Sequence, residues 1–100
     1  MEQMQKKSQQ VSNFLKGLAS PHRLIILCLL SEGEKNVGEL IEATGLSQTS
    51  MSQHLGKLKD EGIVNFRRDH RTLYYAICHD AVKDVMAVLF KYFCKEDGDE

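Results

Sequence analysis

The fold turns on one stretch, Val37-Gly38-Glu39-Leu40-Ile41-Glu42-Ala43-Thr44-Gly45-Leu46-Ser47-Gln48-Thr49-Ser50-Met51-Ser52-Gln53-His54-Leu55-Gly56-Lys57-Leu58. Asn36 ahead of it can cap a short helix whose Val37, Leu40 and Ile41 face inward. Thr44-Gly45-Leu46-Ser47 breaks that helix, and Ser47 caps the next. There Met51, Leu55 and Leu58 recur at i, i+4 and i+7, an apolar stripe on one helical face. The other face carries Gln48, Thr49, Ser50, Ser52, Gln53 and His54, with Lys57 one turn further on. Short hydroxyl and amide side chains donate and accept at base edges at small desolvation cost. Two short amphipathic helices joined by a tight turn form a helix-turn-helix, whose second helix offers its N-terminal residues to a DNA major groove.

Past this stretch Gly62 closes the helix, and Ile63 to Arg68 and Thr72 to Cys78 are rich in β-formers. Leu73, Tyr75 and Ile77 alternate with Tyr74 and Ala76, and Asp69-His70-Arg71 reads as the turn of a hairpin. Arg67, Arg68, His70 and Arg71 then stand at the tip of a wing, within reach of backbone phosphates or the minor groove. Asp80 caps a last helix bearing Val82, Val85, Met86, Leu89, Phe90 and Phe93. Ala81, Val88 and Tyr92 widen its stripe beyond one core face, which implies a second burial partner such as a symmetry-related subunit.

Towards the N-terminus, Met4, Val11, Phe14, Leu15 and Leu18 set a first helix from about Gln3 to Leu18. Ser20-Pro21 is an N-cap followed by proline at the first helical position. On this second helix Leu24, Ile25 and Cys28 share a face, with Leu27 and Leu30 beside it, and Gly33 ends it. The fold class is mainly α with one β-hairpin, a winged helix-turn-helix in the order α-α-α-α-β-β-α. Residues 1–100 read as one such domain with an acidic, flexible tail over about 95–100.

Composition agrees. One hundred residues, 42% hydrophobic and 27% charged, suit a single globular domain with a radius of gyration of roughly 13 Å. The longest apolar run, Leu24 to Leu30, is far short of the ~18–20 residues of a membrane span, so a cytoplasmic protein without membrane contact is expected. The net charge of -1 speaks against a polybasic nucleic-acid glue. It averages a basic wing with a tail in which Glu96, Asp97, Asp99 and Glu100 face Lys95 alone, and distribution outweighs the sum. No Gly-rich phosphate loop, paired carboxylates or Ser/His/Asp ordering stands out, so no enzyme and no cofactor are expected. Taken singly, the polar helix reads as a solvated face and the arginines as a solubilising turn; together, helix-turn-helix and basic hairpin favour DNA.

Ser20-Pro21-His22-Arg23-Leu24, Val37-Gly38-Glu39-Leu40, and Leu46-Ser47-Gln48 through Ser52-Gln53-His54-Leu55 resemble the ArsR/SmtB family of winged-helix repressors, from the first helix to Cys94. The resemblance implies a homodimer built from the first and last helices. It implies an inverted-repeat operator in double-stranded DNA, released when an inducer binds.

Two metal-sensing sites of that family lack their ligands here. The third helix has no Cys-x-Cys, and no histidine stands between Asp80 and Cys94, so no metal site is expected. Cys28, Cys78 and Cys94 are odd in number and without a CxxC, neither a disulfide framework nor a zinc-finger spacing. Leu24 to Leu30 around Cys28, with Tyr92-Phe93-Cys94, resembles the sulfide- and redox-responsive branch of the family. That branch implies Cys28 and Cys94 as sensing thiols. Reactive sulfur species or an oxidant link them through a disulfide or polysulfide, and the bridge turns off DNA binding. Cys78 is a bystander. Two other readings stay open: structural cysteines with a different inducer (a metal ion or none), and a winged-helix protein-interaction module.

Overall fold

The computed structural model describes residues 1–93; Cys94 and the acidic tail lie outside the described residues. Helix α1 (Glu2–Leu18) buries only its C-terminal end, at Gly17 and Leu18. Helix α2 (Pro21–Leu30) starts as expected. The Ser20 hydroxyl accepts the Arg23 N–H at 3.4 Å, and Pro21 occupies the first turn, where no amide donor is needed. Its buried face is Ile26, Leu27 and Leu30, while Leu24 and Cys28 are half-buried and Ile25 is exposed. The face shared by Leu24, Ile25 and Cys28 therefore flanks the core instead of filling it.

A strand the sequence did not announce follows. β1 (Lys35–Asn36) pairs antiparallel with the hairpin, Lys35 against Tyr75 and Asn36 against Tyr74. The element order becomes α-α-β-α-α-β-β-α, and the wing is the major part of a three-stranded sheet ordered β1-β3-β2. Asn36 then caps α3 (Val37–Thr44). Its side chain accepts the Glu39 N–H at 2.8 Å, and the Glu39 carboxylate accepts the Asn36 N–H at 2.9 Å, a reciprocal capping box. Gly45, at φ 76°, ends α3 in the left-handed region that glycine enters without a Cβ penalty.

Helix α4 (Gln48–Asp60) carries Met51, Leu55 and Leu58 fully inward. Strands β2 (Val64–Asp69) and β3 (Thr72–Ile77) pair from Val64–Ile77 to Asp69–Thr72. The ladder thus includes Asp69, and the turn shrinks to His70-Arg71, with His70 at φ 60°. Helix α5 (Asp80–Phe93) also begins one residue off its expected cap. The Lys83 N–H reaches the His79 carbonyl at 3.0 Å, so His79 takes the cap position and Asp80 the first turn. A carboxylate there still complements the helix dipole.

The core gathers Leu18, Ile26, Leu27, Leu30, Leu40, Met51, Leu55, Leu58, Ile63, Val64, Ile77, Val82 and Met86. It locks the helix-turn-helix to the root of the wing. Outside it, Met4, Val11 and Leu15 of α1 and Val88, Phe90, Tyr92 and Phe93 of α5 remain exposed. No helix among the described residues is long and apolar enough to cross a membrane.

Candidate nucleic-acid interface

Helix α4 is presented by its buried stripe: with Met51, Leu55 and Leu58 inward, Gln48, Thr49, Ser52, Gln53 and Lys57 lie exposed on the outer side. Ser50 is half-buried. Ser47 is exposed, and its hydroxyl accepts the Ser50 N–H at 3.0 Å. Its first task is therefore to cap α4 through the Ser50 N–H; the Gln48 and Thr49 N–H groups have no acceptor within the helix, and an anion is favoured at such an end.

The wing brings its tip towards this helix. Arg71 and Gln48 line one shallow depression with Asn36, Gly38 and Thr72, so the turn of the wing and the N-terminus of α4 border the same groove. Arg68, His70 and Arg71 are exposed. The His70 ring stands 3.6 Å from the Asp69 carboxylate.

Two predicted residues are placed differently from the rest. Arg67 lies in the body of β2 opposite Tyr74, short of the tip, and its guanidinium is bonded to Glu34. That bond holds the Glu34 carboxyl below and the Arg67 guanidinium above their ordinary ranges. His54 is half-buried against His22 of α2, ring centroids 5.4 Å apart and planes at 73°. Partial burial, then the positive fields of His22, Arg23 and Lys57, push the His54 imidazole below its usual range.

Arg23 stands in the Ser20-Pro21-His22-Arg23-Leu24 motif, but the sequence assigns it no partner. It donates to the Gly17 carbonyl at 2.8 Å and stands 3.7 Å from the Glu61 carboxylate. It thereby ties the end of α1 and the C-cap of α4 to α2. Glu39 was likewise missed as a capping partner, although Asn36-x-x-Glu39 has the capping-box spacing. Nothing local marks Glu34.

Of the two thiols, Cys28 is half-buried at the edge of the core, and Cys94 lies outside the described residues. Cys78 is exposed at the root of the wing, its thiol 3.5 Å from the Gly62 carbonyl oxygen. Among the described residues no group of three or more His, Cys, Asp or Glu side chains could hold a metal ion.

A capped helix-turn-helix bordered by a basic hairpin on a three-stranded sheet defines a winged helix-turn-helix regulator. Residues 20–65 match the family described as "Bacterial regulatory protein, arsR family". The chain is 38% identical over 96 residues to the "Biofilm growth-associated repressor" of Xylella fastidiosa (strain Temecula1 / ATCC 700964), covering 96% of this chain and 84% of that protein. The structure "Reduced HlyU from Vibrio cholerae N16961" superposes with a TM-score of 0.91 at 37% identity, over 95% of this chain and 100% of that one. A homodimeric winged helix-turn-helix DNA-binding domain from Mycobacterium bovis superposes with a TM-score of 0.76 at 35% identity, over 89% and 82% of the two chains. The chain belongs to the arsR family of bacterial regulatory proteins.

Proposed function

We propose that this protein is a homodimeric transcriptional repressor that reads an inverted-repeat operator and releases it when Cys28 and Cys94 are covalently bridged. The observation that carries the DNA reading is the shared groove that Gln48 of α4 and Arg71 of the wing both line. Gln48, Thr49, Ser52 and Gln53 meet base edges in the major groove, with Ser50 at the margin. Lys57, Arg68, His70 and Arg71 meet phosphates, and Ser47 and His54 border the same surface. The dimer forms through the exposed apolar faces of α1 and α5, in line with the homodimeric neighbour.

The switch rests on resemblance and on the place of Cys28. It sits on α2 beside the core that carries α4. Two thiols that give up two electrons to a persulfide, polysulfide or other oxidant become linked, and the link fixes α2 relative to the dimer helix. Recognition helices of a dimer must stand about 34 Å apart to enter successive major grooves, so a small rotation at the interface displaces both. Gel-shift titrations of wild type, Cys28→Ser and Cys94→Ser, with and without polysulfide, test the switch. Release of wild type alone is the expected result; equal release of all three proteins removes the thiol pair from the mechanism.

A further inference from the structure

Arg67 and Glu34, 33 positions apart in the chain, meet across the wing sheet. In the register, Asn36, Tyr74 and Arg67 stand directly opposite one another on β1, β3 and β2. Residues so opposed project to the same face of a sheet. Over that face the Arg67 guanidinium lies 4.6 Å from the Tyr74 ring centroid. Its Nε donates to both oxygens of Glu34, at 3.0 and 3.1 Å, and its Nη2 donates to Oε1. The side chain therefore crosses the central strand, from β2 to the segment that leads into β1.

The place of this crossing gives it leverage. β1 joins β3 through only two residue pairs, and its second residue, Asn36, is also the cap of α3. β1 is thus a second tie between the hairpin and the start of the helix-turn-helix, beside the core that joins them at the root of the wing. An exposed ion pair alone contributes little. This one is charge-assisted, forked and stacked on an aromatic face, and each of those features strengthens it. Arg67 also already holds an anion, whereas Arg68 and Arg71 have no carboxylate within ion-pair distance among the described residues.

We propose that Glu34, Tyr74 and Arg67 form a clamp that sets the wing against the helix-turn-helix, which makes Arg67 a positioning residue for operator binding and not a phosphate contact. The proposal rests on the DNA-binding reading above.

The test has two arms on the full chain. The first is amide hydrogen exchange of the free protein. Glu34→Gln and Arg67→Gln both speed exchange at the β1–β3 ladder while amides of the buried helices keep their protection. The second is binding to a DNA duplex that the wild type selects from a random library. Each variant weakens binding roughly two- to fivefold, the double variant no more than either single, and the slope of log K against log salt stays unchanged. Arg67→Lys keeps the charge but loses the fork, and it behaves like Arg67→Gln.

A direct phosphate contact gives the opposite pattern. Glu34→Gln then leaves affinity unchanged or raises it, Arg67→Gln lowers the salt slope by about 0.9, and Arg67→Lys largely rescues it. That pattern, or unchanged exchange at the ladder, overturns the clamp, as does faster exchange with unaltered binding. A wild type that selects no duplex refutes the DNA-binding reading instead, and the exchange arm still decides whether the clamp holds the wing.

Discussion

The His22 and His54 rings meet edge to face, centroids 5.4 Å apart, so the start of α2 touches the middle of the recognition helix through two titratable groups. Because His54 is held below its usual range, the native state binds that proton less readily than the unfolded chain. Well above 6.5 both states are unprotonated there and no penalty exists. As pH falls through the unfolded value, near 6.5, the unfolded chain gains protons first and stability drops, fully so below the folded value. Urea denaturation between about pH 7.5 and 5.5 is expected to show a larger fall in midpoint for wild type than for His54→Gln. An equal fall removes His54 as the cause. Glu34 acts in a lower window, since its depressed carboxyl contributes stability that is present above about 4.5 and lost as pH falls through its folded value.

Ser47 caps α4 through the 3.0 Å bond from the Ser50 N–H. Ser47→Ala should cost about 1 kcal/mol of stability, and Ser47→Gly only a few tenths, both read by chemical denaturation without DNA. A neutral Ser47→Ala would mean that the 3.0 Å cap bond adds no net stability to α4.

Leu55, with 1% of its surface exposed, sits on the buried stripe of α4 amid the core. Leu55→Ala removes three carbons and leaves a cavity between α4 and its neighbours, at a cost of about 2–5 kcal/mol. Urea unfolding followed by circular dichroism measures it, and a loss below about 1 kcal/mol would place the side chain outside the core.

Leu15 on α1 and Val88 on α5 are 51% and 55% exposed, large apolar side chains on the faces assigned to the dimer. The double variant Leu15→Glu/Val88→Glu should sediment as a monomer and bind a two-half-site duplex at least roughly 100-fold more weakly, because the second half-site no longer binds intramolecularly. A dimer of unaltered mass would move the interface elsewhere.

The sequence alone determined the elements whose signal is local. The stripe of Met51, Leu55 and Leu58, the caps Ser20, Asn36 and Ser47, the breaks at Gly45 and Gly62, and the alternation of Leu73, Tyr75 and Ile77 each follow from a few neighbouring residues. So does the surplus of apolar surface on the last helix. Helix-turn-helix and hairpin are therefore both legible in one dimension, and with them most of the candidate DNA face.

Tertiary structure decided what depends on distant partners. Leu24 to Leu30 is apolar all round, so it has no periodicity to say which side turns inward; packing chose Ile26, Leu27 and Leu30. Two residues carry too little propensity to announce a strand, and Lys35-Asn36 becomes one because Tyr74 and Tyr75 lie alongside. The arginines of the hairpin are alike as letters. Only the sheet register separates Arg67, bonded to Glu34 across Tyr74, from Arg68 and Arg71 at the exposed end. Ion pairs and ring contacts between residues tens of positions apart leave no trace in local spacing, because they exist only once the chain has closed on itself.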